Sequence, residues 1–458
     1  LQPKAISPVA LWFSSALLPE GWASDVRVIF AGNAIARVES GVPPAREDER
    51  HGIALPGLPN LHSHAFQRGM AGLAEIRGPA NDSFWTWRDV MYRFVDRLTP
   101  DDMQAIAELA YIEMLESGFT RVGEFHYLHH DADGRPYANI AEMGAHIAQA
   151  ARNTGIALTL LPVFYAHSGF GGQAPTQGQR RFINDPSSFA KLMEESRNAI
   201  ASLDNARIGI APHSLRATTP EELEQIVPLA EGGPIHIHIA EQTKEVEDCI
   251  AWSGARPVAW LIDNADVNDK WCLVHATHMT KEETARLARS GAVAGLCPIT
   301  EANLGDGLFP APDYLEAGGR FGVGSDSNVR IDAAEELRLL EYGQRLSLRA
   351  RNVLAPDMGR STGRSLFDGA RKGGIQALGA PDSGLLEGAP ADLVSLDIES
   401  PALAGKSGDA ILDSWIFAGT GAVDRVWCAG RQLVAGGRHK NREEIARRYK
   451  EVLVRIVK

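Results

Sequence analysis

Leu58-Pro59-Asn60-Leu61-His62-Ser63-His64 sets two histidines one residue apart at the end of a short apolar run. Side chains alternate faces along a strand, so residues i and i+2 point the same way and both imidazoles can reach one point. That point can hold a metal ion, or the pair can be two ordinary packed histidines. Three further segments share the form of an apolar strand followed by His or Asp: Pro234-Ile235-His236-Ile237-His238-Ile239-Ala240-Glu241, Trp271-Cys272-Leu273-Val274-His275-Ala276 and Phe321-Gly322-Val323-Gly324-Ser325-Asp326. Four strand ends thus offer ligand atoms.

Outward from this run, strand-like segments are expected at Ile53–Leu61, Phe119–His126, Ile156–Tyr165, Arg207–Pro212, Ile235–Ile239, Trp271–Val274, Ala292–Cys297 and Arg320–Gly324. Between them lie amphipathic patterns predicting helices at Asp101–Ser117, Ile140–Arg152, Pro186–Ser202, Pro220–Leu229, Lys244–Trp252, Pro257–Asn264 and Lys281–Ser290. Strands alternating with helices in this number predict an α/β chain built as a (β/α)8 TIM barrel, whose active site lies at the carboxyl ends of the strands. The barrel is expected over residues 57–379. Residues 1–56 and Gly384–Arg438 read as short strands around tight turns, and neither flank has enough alternating residues for its own core. They are expected to combine, as 1–56 plus 380–440, into one small β-sandwich-like domain, with a C-terminal helix over 441–458.

Composition narrows the function class. The chain has 458 residues, 44% hydrophobic and 23% charged, close to the average for folded globular proteins. Lys+Arg 46 against Asp+Glu 58 leave a net charge of −12, which argues against nucleic acid or an anionic membrane as partner. Cys249, Cys272, Cys297 and Cys428 form no C-x-x-C pair and fit buried thiols in a reducing cytoplasm. Ala5–Leu18 loosely has the shape of a secretory leader, but Pro8, Ser14 and Ser15 interrupt it. Val26–Val38 continues as a hairpin pattern turning at Gly32-Asn33, so folded structure is expected. No segment reaches the ~18 apolar residues of a membrane-spanning helix. Oligomeric state leaves no readable trace, and a homodimer stays open.

Three histidines and one aspartate give an N3O ligand set suited to zinc or another first-row divalent ion. Such a site leaves room for a water whose pKa the ion lowers toward ~7. Glu241, three residues after His238, is either a solvated first-turn glutamate or the group that moves a proton from that water to a leaving nitrogen. His275, one strand further round, can hydrogen-bond the attacking oxygen. His236 shares a face with His238 one layer deeper and is the alternative ligand. His126, His129 and His130 read as solvated or structural.

His62-x-His64, His238-x-x-Glu241, His275 and Ser325-Asp326 resemble the deaminase branch of the amidohydrolase superfamily, and the resemblance runs through Ser383-Gly384-x-Leu386-x-Gly388-x-x-Ala391-Asp392-Leu393. It implies one divalent metal ion, Zn2+, on His62, His64, His238 and Asp326, with Glu241, His275 and Asp326 catalytic. Many members hold two metals bridged by a carbamylated lysine. No lysine occurs here between Lys4 and Lys191, which removes that centre and leaves Glu124 as the conceivable bridge.

A narrower resemblance, to formimidoylglutamate deiminases of histidine degradation, rests on four runs. They are Asn60 to Arg68, Gly123 to His130, Pro212-His213-Ser214-Leu215-Arg216, and Cys297-Pro298-Ile299-Thr300-Glu301-Ala302-Asn303-Leu304-Gly305-Asp306-Gly307. In the last, related nucleobase deaminases usually read Cys-Pro-x-Ser-Asn. The implied reaction is hydrolysis of N-formimino-L-glutamate to N-formyl-L-glutamate and ammonia, although loss of formamide is also chemically conceivable. The substrate is a small anion with two carboxylates, so fixed cations and donors are needed in an acidic protein. Gln67, Arg88, Tyr127, His213 and Arg216 are the implied substrate-binding residues. The competing readings are a deaminase of guanine, cytosine or adenosine type, and a catalytically silent barrel serving as a scaffold.

Overall fold

The computed structural model describes residues 9–77, 83–419 and 421–457, so Ala5–Pro8 of the leader-like stretch lie outside the described residues. Four strands open it: β1 (Val9–Leu18), β2 (Gly21–Ala31), β3 (Ala34–Glu39) and β4 (Glu49–Pro56). The hairpin read around Gly32-Asn33 is present as the antiparallel β2–β3 pair. Next come β5 (Leu58–Ser63), β6 (Phe119–His126), β7 (Ala157–Phe164), β8 (Arg207–Ile208) and β9 (Ala211–Pro212). They are followed by β10 (Ile235–Ile239), β11 (Trp271–His275), β12 (Val293–Leu296) and β13 (Arg320–Val323). The chain closes with β14 (Leu393–Leu396), β15 (Val423–Cys428), β16 (Arg431–Ala435), β17 (Arg438–His439) and the helix Arg442–Ile456.

Strands β5 to β13 form two parallel arcs, β5-β6-β7-β8 with β9 also on β7, and β10-β11-β12-β13. Isolated parallel bridges at Ser63–Asp326 and Ile210–Ile235 join the arcs at both seams. Helices separate the strands, giving a TIM-barrel-like fold with all strand carboxyl ends on one side. Local signals explain several helices directly. Thr99 caps Pro100–Ser117 through a reciprocal box with Asp102, and Gly118 ends it at φ 105°.

The expected strand Ile53–Leu61 is in fact two strands in two sheets. Ile53 to Pro56 pair with β14, whereas Leu58 onward pairs with β6. Gly57 makes the switch possible, because a Cβ there would lie 2.2 Å from Thr120 Oγ1. The expected strand Arg207–Pro212 is also broken. At Gly209 the chain passes so near its neighbour that a Cβ would meet the Pro234 carbonyl oxygen at 2.3 Å.

Strands from both flanks lie in one eight-stranded hydrogen-bonded sheet, β17-β16-β15-β14-β4-β1-β2-β3. Leu11, Phe13, Val28, Leu393 and Trp427 share one buried cluster, so each flank completes the other. Within the second flank, Ala410–Phe417 is a helix where only strands and turns were expected.

Candidate active site

Four strands deliver the site. His62 lies at the end of β5 and His64 just past it, His238 is the fourth residue of β10, His275 ends β11, and Asp326 follows β13. His62 Nε2 lies 3.2 Å from His64 Nε2 and 3.0 Å from His238 Nε2. Asp326 Oδ1 lies 3.5 Å from His62 Nε2 and 3.3 Å from His64 Nε2. Tetrahedral ligands ~2.1 Å from one ion would be roughly 3.4 Å apart. Three imidazole nitrogens this close cannot all hydrogen-bond one another, and the donor set fits a divalent metal ion.

The backbone orients these rings. His64 Nδ1 donates to Phe125 O at 2.9 Å and His238 Nδ1 donates to His213 O at 3.1 Å, which leaves each Nε2 lone pair facing the centre. Burial lowers His62 to about 3, so its imidazole is neutral, the form a metal takes. Burial alone would raise Asp326, but hydrogen bonding and charge from His62, with His275 and His64 beside it, hold it well below the usual carboxylate range.

Glu241 and His275 flank this cluster. His275 Nε2 is 3.7 Å from Glu241 Oε1 and 3.9 Å from Asp326 Oδ2. Burial lifts the Glu241 carboxyl above its ordinary range. His275 is raised despite its burial, because the carboxylates of Glu241, Glu301 and Asp326 surround it. The chain leaves these strand ends through left-handed non-glycine residues: Ala240 (φ 53°), His275 (φ 70°), Ala276 (φ 47°) and Asp326 (φ 44°). Such conformations cost about 1–3 kcal/mol each and gather where a site is held rigidly.

A cavity opens above the cluster and is bordered by Gln67, Arg88, Tyr127, His213 and Arg216 together with His64, His238, Glu241, His275 and Asp326. All five residues expected to bind substrate therefore face one space with the cluster. Arg88 comes from Phe84–Val95, a helix that hydropathy periodicity did not indicate. Its guanidinium sits 4.5 Å from the Trp85 ring centre, and Arg216 is 5.8 Å from the same ring. The Nε atoms of both arginines are buried without a hydrogen-bond partner. Gln67 Nε2 donates to Tyr127 Oη at 2.9 Å, leaving Gln67 Oε1 unpartnered. An aromatic wall of Phe84, Trp87, Tyr92, Tyr165 and Phe182 was not anticipated.

The remaining candidates serve elsewhere. His236, the alternative ligand, turns to the barrel floor, where Nε2 donates to Ala377 O at 2.7 Å. Glu124 does not bridge: Oε1 accepts from Ala65 N at 2.7 Å and Oε2 from Tyr111 Oη at 3.2 Å. His126, His129 and His130 are buried, the structural one of their two readings, His129 on Val163 O and His130 on Ile183 O.

Residues 53–433 match the Amidohydrolase family. The chain belongs to that family. Residues 10–52 of this amidohydrolase match the N-terminal domain of formimidoylglutamate deiminase HutF. It is 52% identical over 447 residues to formimidoylglutamate deiminase of Pseudomonas aeruginosa, covering 97% of this chain and 98% of that protein. A crystal structure of an amidohydrolase from Brucella melitensis is 57% identical, with a TM-score of 0.96 over 98% of this chain and 100% of that one. More distant is a 5-methylthioadenosine/S-adenosylhomocysteine deaminase of Natronomonas pharaonis, 29% identical over 77% of this chain and 74% of that protein. Within its family the amidohydrolase falls with the formimidoylglutamate deiminases, hydrolases of carbon–nitrogen bonds.

Proposed function

We propose that this enzyme hydrolyses N-formimino-L-glutamate to N-formyl-L-glutamate and ammonia in histidine degradation. The observation that carries the substrate is the pair Arg88 and Arg216. Neither has an ion-pair partner among the described residues, and both border the cavity in front of the His/Asp cluster. Two guanidiniums suit two carboxylates, and Tyr127, His213 and Gln67 add neutral groups for orientation.

His62, His64, His238 and Asp326 would hold the metal, with zinc the ion that their N3O set suits well. When bound, it supplies a low-pKa water and a Lewis acid at this point. Asp326 and His275 orient the attacking water, and Asp326 accepts a proton from it. Glu241 carries a proton to the departing nitrogen, and its raised pKa lets it hold and release that proton near neutral pH. The same reading assigns a closed (β/α)8 barrel to 57–379, a small β domain to 1–56 plus 380–440, and a cytoplasmic setting supported by four free, buried cysteines. No helix among the described residues is long and apolar enough to cross a membrane.

Zinc-loaded protein given N-formimino-L-glutamate should release ammonia and N-formyl-L-glutamate in equal amounts. Formamide and glutamate as products would move the broken bond, and no turnover would sink the substrate. Glu241→Gln should retain zinc and lose turnover by at least about a hundredfold, within the range of general acid–base catalysis.

A further inference from the structure

We propose that Glu301 is a positioning residue for the reaction, gripping the His275 ring by its Nδ1–H so that Nε2 faces the reacting atoms. The proposal rests on the deiminase reading of the site.

Glu301 belongs to the short helix Pro298–Leu304 after β12, and its side chain does not border the substrate cavity. Its Oε1 lies 3.2 Å from His275 Nδ1 and accepts the Cys297 backbone N–H at 2.9 Å. A carboxylate oxygen only accepts, so Nδ1 must be the donor, and the backbone bond fixes where that oxygen sits. The opposite nitrogen, Nε2, then points at Glu241 Oε1 and Asp326 Oδ2, at 3.7 and 3.9 Å. The His275 ring also lies nearly parallel to His238, at 13° and 5.6 Å between centroids. Glu301 and His275 are 5% and 1% exposed, so no bulk water competes for Nδ1.

Stacking restrains the ring plane, and Glu301 selects which edge of the ring faces the reacting atoms. Without that acceptor the imidazole can flip, which turns Nε2 away from Glu241 and the attacking water. Glu301 touches neither substrate nor metal ligand in this geometry, so its loss should act on turnover and spare substrate and metal binding.

Glu301→Ala and Glu301→Gln, both zinc-loaded, test this. In Glu301→Ala, kcat should fall about 10–100-fold, the range for loss of a group that orients a catalytic histidine, with KM and zinc content unchanged. Glu301→Gln keeps an oxygen for both Nδ1–H and Cys297 N–H and should recover most of the loss. Selective 15N-histidine NMR gives a readout that needs no substrate. The His275 signal, assigned by its disappearance in His275→Asn, should show Nδ1–H held in a hydrogen bond in wild type and in Glu301→Gln, and lose that hydrogen bond in Glu301→Ala. Unchanged kcat, an unchanged His275 signal, or zinc lost together with kcat would each overturn the proposal. If wild type releases no ammonia from N-formimino-L-glutamate, the substrate reading falls and the His275 signal alone decides the role of Glu301.

Discussion

Arg216 sits just beyond β9 with its guanidinium buried and its Nε unpartnered, an expensive arrangement in a protein that carries net charge −12. A carboxylate arriving from solvent removes the cost by supplying the missing acceptor. A charge-assisted hydrogen bond of this kind contributes about 1.5–3 kcal/mol, or roughly 10- to 150-fold. Arg216→Ala should therefore raise KM about that much for N-formimino-L-glutamate and leave zinc content intact. Arg216→Lys should recover little, since one ammonium cannot present the planar fork. Steady-state kinetics of the two variants checks both points. An Arg216→Ala enzyme with wild-type KM would instead favour a planar, uncharged ring resting on the aromatic wall.

Strand β6 shows why some of the site was readable and some was not. His62, His64, His238 and Asp326 stood out because polar groups closed apolar runs, and period-two alternation then set the histidines on one face. Glu124 also closes an apolar run, yet it faces the helix Pro100–Ser117 and meets Tyr111, a distinction that depends on which face of β6 is the inside. The helix Thr362–Ala377 was missed for another reason. It holds Gly363, Gly369, Gly373 and Gly374, poor helix formers that blur its periodicity, and they are there because the helix backbone packs directly on the barrel. A Cβ at Gly373 would be 1.9 Å from Phe321 O.

Burial raises the Glu124 carboxyl to about 8, against about 4.3 in the unfolded chain. Between those values the folded state binds more protons than the unfolded one, so stability falls as pH rises, by up to about 1.4 kcal/mol per pH unit, and levels off above pH ~8. Glu124→Gln can still accept from Ala65 N–H and can donate to Tyr111. The variant should gain stability over wild type steadily from pH 5 to 8 in denaturant melts, and parallel curves for the two proteins would refute the assignment.

On the scale of the whole molecule, the terminal sheet is bolted to the barrel rather than tethered. Leu17, Ile53 and Val426 of the sheet belong to the same buried cluster as Phe119, Leu160 and Ile237 of the barrel. His439 Nε2 donates to Thr154 O at 2.9 Å, and Cys428 Sγ lies 3.6 Å from Thr120 O. Beside Cys428, Trp427 is 2% exposed and packs edge-on against Phe13 and His51 at the centre of the sheet. Replacing such a side chain by alanine costs about 3–5 kcal/mol. If sheet and barrel unfold as one unit, Trp427→Ala should lower the temperature of zinc release and the loss of far-UV dichroism together, although the tryptophan is not part of the metal site. A divalent ion that binds only the assembled strand ends would stabilise the folded chain by about 4 kcal/mol when free metal is 1,000-fold above Kd. A chelator should therefore lower the melting temperature of wild type and Trp427→Ala alike. Zinc release that stayed at the wild-type temperature in Trp427→Ala while part of the dichroism melted early would mean that sheet and barrel unfold separately.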